Sequence, residues 1–142
     1  GMQIVDGVRL EGAWTLAEHV YTDWRPSAVQ DLSGNVQESA PKSMGNFALT
    51  IAPRALPGLG VSAEWVHLGG YWTDPTNAMQ YDGHDLMNLR ASYLLGARVQ
   101  LFARLNNVTD QRYAERAAWT QARGMELAPG SPRALFVGIQ IR

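Results

Sequence analysis

The stretch Val99-Gln100-Leu101-Phe102-Ala103-Arg104-Leu105-Asn106-Asn107-Val108-Thr109-Asp110-Gln111-Arg112-Tyr113-Ala114 decides the fold. Its first half alternates strictly: Val99, Leu101, Ala103 and Leu105 point one way, and Gln100, Phe102, Arg104 and Asn106 the other. Period two is the mark of a strand with one apolar and one polar face. Asn106-Asn107 then ends the strand, because short amides bond their own backbone and tolerate turn geometry. Thr109-Asp110 continues the turn, and Tyr113 stands at its far end.

The bulk properties narrow what such a strand belongs to. A chain of 142 residues suffices for one domain with a core. A net charge of -1 gives no electrostatic reason to expect nucleic acid. With no cysteine there is no disulfide frame, thiolate metal site or cysteine nucleophile. Five Trp, five Tyr and fourteen Gly favour sheet and turn over helix. No run is apolar for long enough to span a membrane as a helix, which takes about eighteen residues. A spanning strand needs only about ten alternating residues. Gly1-Met2 reads as a tag remnant before a start residue, with no secretory leader after it, so an outer-membrane chain of this size is expected to be a piece of one.

Outward from the central strand the pattern repeats. Leu86 to Leu94 sets Met87, Leu89, Ala91 and Tyr93 against Asn88, Arg90 and Ser92, and only a short turn around Leu95-Gly96-Ala97 separates it from Val99, which predicts a tight hairpin. Val61 to Trp72 and Met44 to Ala52 alternate likewise, joined by a compact turn from Pro53 to Gly60. Val8 to Asp23 opens the series, with a bulge or short turn expected near Ala17 to His19. Ala134 to Arg142 closes it. Trp24 to Ser43, Thr73 to Asp85 and Thr109 to Pro132 read as long polar loops. The expected fold is all-β: about six antiparallel up-and-down strands, a barrel or part-barrel with long loops at one end and short turns at the other. A soluble antiparallel sheet with a dry core gives the same alternation. Trp14, Trp65, Tyr71, Trp72 and Tyr93 fall towards strand ends, as an interfacial girdle does.

Candidate chemistry is sparse. His19, His67 and His84 have no metal-ligand spacing, and Asp82-Gly83-His84-Asp85 is foremost a turn signal. Nothing places Glu64 and Glu126 together as paired carboxylates, and Gly58-x-Gly60 lacks the helix that a phosphate loop requires. Asn107-Val108-Thr109 is formally a glycosylation sequon but reads as part of the turn, and Arg90 and Arg104 read as charges of the polar faces. The sequence assembles no nucleophile, base and orienter, so it predicts no enzyme, and it implies no cofactor or metal.

The strand running into Asn106-Asn107-Val108-Thr109-Asp110, then Tyr113 and Pro129-Gly130-Ser131-Pro132-Arg133, resembles a passage near the C-terminus of TonB-dependent outer-membrane receptors. Ser33-Gly34-Asn35 with Pro41, Gly70-Tyr71-Trp72-Thr73-Asp74 with Asn77, Tyr81 and Gly83, Leu89 to Tyr93, and Asp6 to Gly12 resemble further passages of that family in the same order. The resemblance implies residues 2-142 as a C-terminal segment of the receptor barrel, without the plug domain. Its structural motif would be Asn106, Asn107, Asp110, Tyr113, Pro129, Gly130, Pro132 and Arg133.

In that family a barrel of about 22 strands holds an N-terminal plug. TonB contacts a box on the N-terminal side, and the cargo is a ferric siderophore, sometimes cobalamin or a sugar. The implied location is the outer membrane, the implied partners are the rest of the barrel and the plug, and the fragment alone is expected to be inactive in iron transport. Family members finish on an aromatic residue that the assembly machinery reads, whereas Arg142 stands last here, which argues against autonomous insertion. The alternative is a soluble, lipocalin-like binding module. Away from lipid, the expectation is that the sheet curls until its first and last strands pair with the apolar side inward, or that two copies form a homodimer. The turn from Asn106 to Asp110 is expected to be held by Asn and Asp side-chain bonds to nearby backbone, Asn106 among them, with Tyr113 packed against the strand end.

Overall fold

The computed structural model describes residues Gly1 to Ile141; Arg142 and the expectation attached to it lie outside the described residues. Nine strands form: β1 (Met2–Val5), β2 (Val8–Leu16), β3 (Ser43–Ile51), β4 (Leu59–Trp72), β5 (Gln80–Leu95), β6 (Val99–Asn106), β7 (Ala114–Thr120), β8 (Gly124–Pro129) and β9 (Ala134–Ile141). Seven build one antiparallel sheet in the order β1-β2-β3-β4-β5-β6-β9, and β7 and β8 form a separate hairpin. The short turns β1–β2, β3–β4 and β5–β6 lie at one end of the sheet, and the long connections lie at the other.

The register explains the alternation. Val99, Leu101, Ala103 and Leu105 stand opposite Ile141, Ile139, Val137 and Leu135. On the other side, Leu105, Ala103 and Leu101 face Leu89, Ala91 and Tyr93. Directly opposed residues share a face, and the same row continues through Ala63, Val61 and Leu59 of β4, Leu49 and Ile51 of β3, and Leu10 and Val8 of β2. One face is therefore apolar across every strand of the sheet. From Met87 to Leu95 it extends for about 26 Å of strand, close to the height of the apolar band of a membrane barrel. The opposite face carries Ser62, Glu64, Asn88, Arg90, Arg104 and Gln140. Glu64 there accepts hydrogen bonds from Asn88 Nδ2 at 3.2 Å and from Arg90 at 3.3 Å.

Where strands cross close together, glycine makes room. Gly12 lies opposite Phe47 and Gly45 opposite Trp14. A methyl at either position would come within 2.4 Å of the facing ring, so each ring lies across a glycine of the next strand.

The structure corrects the expected layout in four places. The strand count rises from about six because β1 precedes β2 and because the Thr109 to Pro132 loop contains the β7–β8 hairpin. The Thr73 to Asp85 loop shrinks, because Gln80 to Asp85 belongs to β5 despite its turn-forming residues. The Val8 to Asp23 strand is cut short: β2 ends at Leu16, where a break in the strand is expected, and beyond it only an isolated bridge between Val20 and Val36 follows. Finally, the sheet does not curl shut. Among the described residues β1 and β9 have no partner on their outer edges, and Leu135, Val137, Ile139 and Ile141 stay between 66% and 77% exposed.

Burial therefore lies elsewhere. Leu32, Tyr71, Thr73, Asp74, Asn107, Ala114 and Ala117 are buried, and of these only Tyr71, at the loop end of β4, lies on a strand of the seven-stranded sheet. They sit among the long connections and at the strand ends beside them. A bare apolar face loses about 1.5–3 kcal/mol for each large side chain left in water. We expect the folded chain to require detergent or lipid. Light scattering after detergent removal should show large aggregates, and a monodisperse monomer would contradict this.

Candidate functional site

Two groups of side chains stand out, one in the long connections and one at the rim of the apolar face. The first begins at the end of β6. Asn107 has φ +49° and Asp110 φ +53°, left-handed conformations that Asn and Asp tolerate better than most residues. The buried Asn107 side chain accepts from Gln111 N at 2.9 Å and donates to Gln111 O at 2.9 Å and Ser131 O at 3.2 Å. Its backbone N–H donates to Asn88 Oδ1 at 3.0 Å, which ties the turn to the polar face of β5. Asp110 accepts from Arg133 N at 2.9 Å. Tyr113 O accepts from Gly130 N at 2.9 Å, and the tyrosine ring covers Gly130 so closely that a Cβ there would lie 2.1 Å from it. Pro129 pairs with Ala114, and Asn106 with Ala134. Pro132 lines a cleft of about 370 Å³ with Asp110, Tyr113 and Gly130.

All eight residues singled out in the sequence thus meet at the base of the β7–β8 hairpin. The division of labour differs from expectation. Among the described residues Asn106 pairs through the backbone ladder with Ala134, and it is the Asn107 side chain that holds the turn.

The connections are joined above this base. Asn35 Nδ2 donates to Pro75 O at 2.9 Å. Asn77 exchanges two bonds of 2.7 Å with the backbone of Val36, and Ser39 N donates to Trp72 O. From the other side, the hydroxyls of Tyr71 and Tyr81 accept from Ala117 N and Ala114 N at 2.9 and 3.0 Å. Asp74 is the hub of the middle loop. It accepts from the Thr76 hydroxyl and from the N–H groups of Thr76, Ala78 and Met79. Burial pushes its carboxyl up, but these donors outweigh burial and hold it below the usual carboxylate range. At the longest loop, the bond from Tyr21 to Glu38 pushes the tyrosine up to about 12. Arg25 pairs with Asp31 at 3.1 Å beside an open cleft of about 520 Å³. The cluster is a fixed surface of amides, hydroxyls and ion pairs.

The second group lies where Trp14, Phe47, Trp65 and His67 stack on the apolar face, with centroids 5.0 to 6.1 Å apart. His67 Nδ1 lies 2.8 Å from Asp85 Oδ1, and Nε2 lies 3.0 Å from Ser43 Oγ. Trp65 Nε1 donates to the same Asp85 oxygen at 2.9 Å. The sequence reading missed this set because it assigned Ser43 and Asp85 to loops. Both are the row partners of strand residues, Leu16 and His67. Asp82-Gly83-His84-Asp85, read as a turn, is likewise strand, and Glu64 and Glu126 have separate partners, Arg90 and Arg123. Among the described residues no metal-ligating cluster forms.

Two predictions follow from the first group. Replacing Asn107 with Ala should cost about 1–3 kcal/mol in a denaturant melt, because it strands buried polar groups, while Asn106→Ala should stay within about 0.5 kcal/mol. Equal losses would contradict the assignment. For Asp74 the folded pKa lies below the unfolded one, so its contribution is complete above about pH 4 and is lost as pH falls through the folded value. Amide exchange at Ala78 and Met79 should lose protection in that acid window, and Asp74→Asn should abolish the pH dependence.

No protein-family model matches the sequence, and no curated protein matches it. Solved structures do match the fold. The siderophore receptor PiuA from Acinetobacter baumannii superposes with a TM-score of 0.77 at 20% identity, covering 98% of this chain and 20% of that one. The ferric citrate transporter FecA, in its unliganded form, gives 0.76 at 17% identity, covering 96% of this chain and 21% of that one. The ferric yersiniabactin uptake receptor FyuA from Yersinia pestis gives 0.74 at 14% identity, covering 98% and 21%. These neighbours are receptors and a transporter, and the chain spans about a fifth of their length. At that identity the likeness is one of fold: the chain folds like a segment of the β-barrels of these proteins.

Proposed function

We propose that residues 2-142 form a C-terminal wall segment of a TonB-dependent outer-membrane receptor that takes up a ferric siderophore or a similar nutrient. The observation that carries this reading is the continuous apolar face of an open sheet, with the long connections gathered at one end. In such a receptor the apolar face meets lipid, the Glu64, Asn88, Arg90 and Arg104 face meets the lumen, and β1 and β9 continue into the rest of the barrel. The Asn107 turn, with Asp110, Tyr113, Pro129, Gly130, Pro132 and Arg133, anchors one outer loop to the barrel wall. The joined loops supply this segment's share of the ligand surface. Its partners there are the rest of the barrel and the plug, and contact with TonB belongs to the N-terminal part of the receptor. A lipocalin-like module needs a closed interior, and the open sheet disfavours it.

A strand of sixteen residues such as β5 is about 50 Å long. It outreaches a hydrocarbon layer of about 30 Å, so the β4–β5 hairpin carries its loop beyond the membrane surface.

The chain lacks cysteine, which makes single introduced cysteines unambiguous. A nitroxide at Val137→Cys in lipid should be relaxed by oxygen and shielded from a water-soluble nickel chelate, with the reverse at Arg104→Cys. The opposite pattern would place the sheet inside out. An open sheet of seven strands encloses no pore. Receptor-deficient cells producing only these 142 residues should therefore gain no growth on a ferric chelate, and rescue would refute the proposed inactivity of the segment alone.

A further inference from the structure

Ser43, His67 and Asp85 lie on three neighbouring strands, β3, β4 and β5, at the loop end of the apolar face. We propose that they form a serine-hydrolase triad that cleaves the carboxylic ester of a glycerophospholipid lying against that face. Asp85 carboxylate can only accept, so in neutral His67 the proton sits on Nδ1 at 2.8 Å from it. That leaves the Nε2 lone pair aimed at Ser43 Oγ, 3.0 Å away, the relation of base to nucleophile that defines such triads.

The surroundings fix this geometry. The Trp65 indole holds Asp85 Oδ1 at 2.9 Å. The Trp14 ring stacks on the imidazole at 5.0 Å with the planes 14° apart. Gly69 leaves the space that the serine hydroxyl occupies, since a Cβ there would lie 2.4 Å from Ser43 Oγ. Trp65, Trp14, Asp85 and Gly69 are positioning residues; Ser43 and His67 touch the reacting atoms.

The reaction balances with water alone. Ser43 Oγ bonds to the ester carbonyl carbon while His67 Nε2 takes its proton. The tetrahedral adduct breaks its bond to the alkoxy oxygen, which leaves as the alcohol with that proton. Water, deprotonated by His67, then attacks the acyl-serine and releases a fatty acid and free Ser43. The choice of a lipid rests on the barrel-segment reading. Indole rings at a membrane interface mark the headgroup level, where the ester groups of a lipid lie when its chains run along Leu89, Ala63 and Leu49. The serine chemistry does not depend on that reading.

The test treats the folded chain in alkyl-maltoside micelles with a fluorophosphonate and maps the labelled serine by mass spectrometry. Selective labelling of Ser43 over Ser62 and Ser92 is expected. His67→Gln and Gly69→Ala should slow it at least tenfold with unchanged circular dichroism, the second leaving all three triad residues in place. Labelling of Ser43 no faster than of Ser62 would overturn the proposal. Asp85→Asn should lower the labelling rate and shift its pH profile, which a merely structural carboxylate would not do. Mixed micelles of a diacyl phospholipid should release fatty acid, with loss in Ser43→Ala. Turnover of a water-soluble short-chain ester without phospholipid cleavage would keep the triad and overturn the lipid assignment.

Discussion

A single layer of strands has two faces and no interior, and everything else in this molecule depends on that constraint. In a two-layer fold an apolar residue finds its cover in the second layer. Here the backbone ladder fixes which side chains share a face, and whatever covers that face must come from outside. The row from Leu10 through Leu49, Ala63, Leu89 and Leu105 to Leu135 is set by pairing register alone. A slip of one residue in any strand would send its apolar set to the polar side. Register is therefore the quantity that this sequence encodes most strongly.

The long connections solve the opposite problem. They expose backbone to water and have little apolar surface, yet they contain the buried residues. Side-chain amides and carboxylates that bond backbone groups achieve this: Asn77 to Val36, Asp74 to its own loop, and Asn107 to Gln111 and Ser131. Each such bond contributes about 1 kcal/mol, and together they fix the loops as hydrophobic contact fixes a core.

Much of this was legible in the sequence because period two is a local signal. Val99 to Leu105 and Leu86 to Leu94 declare their faces without reference to anything distant. The Asn107 turn and the Pro129 to Arg133 segment were legible as a pair of motifs, although which of two adjacent asparagines does the holding depends on a φ value. The β7–β8 hairpin was not legible, because its cover comes from Tyr71 and Tyr81 hydroxyls on another hairpin. Ser43 and Asp85 were missed for a related reason. Polar residues at a strand end look like loop until the partner strand shows that the ladder runs past them.

Asn107 clamps the root of the β7–β8 hairpin, and two tyrosine hydroxyls brace its flank, so the hairpin is a stiff arm with one free end. That end, from Gln121 to Arg123, closes with a bond from Arg123 N to Thr120 O, and Gly124 has open space around it. Root and tip thus differ in how much change they tolerate. A change in length at the root would shear the clamp, whereas a peptide inserted at the tip would be carried outward without disturbing the wall. The arm works as a display mast, and its tip is the place where a foreign epitope could be grafted.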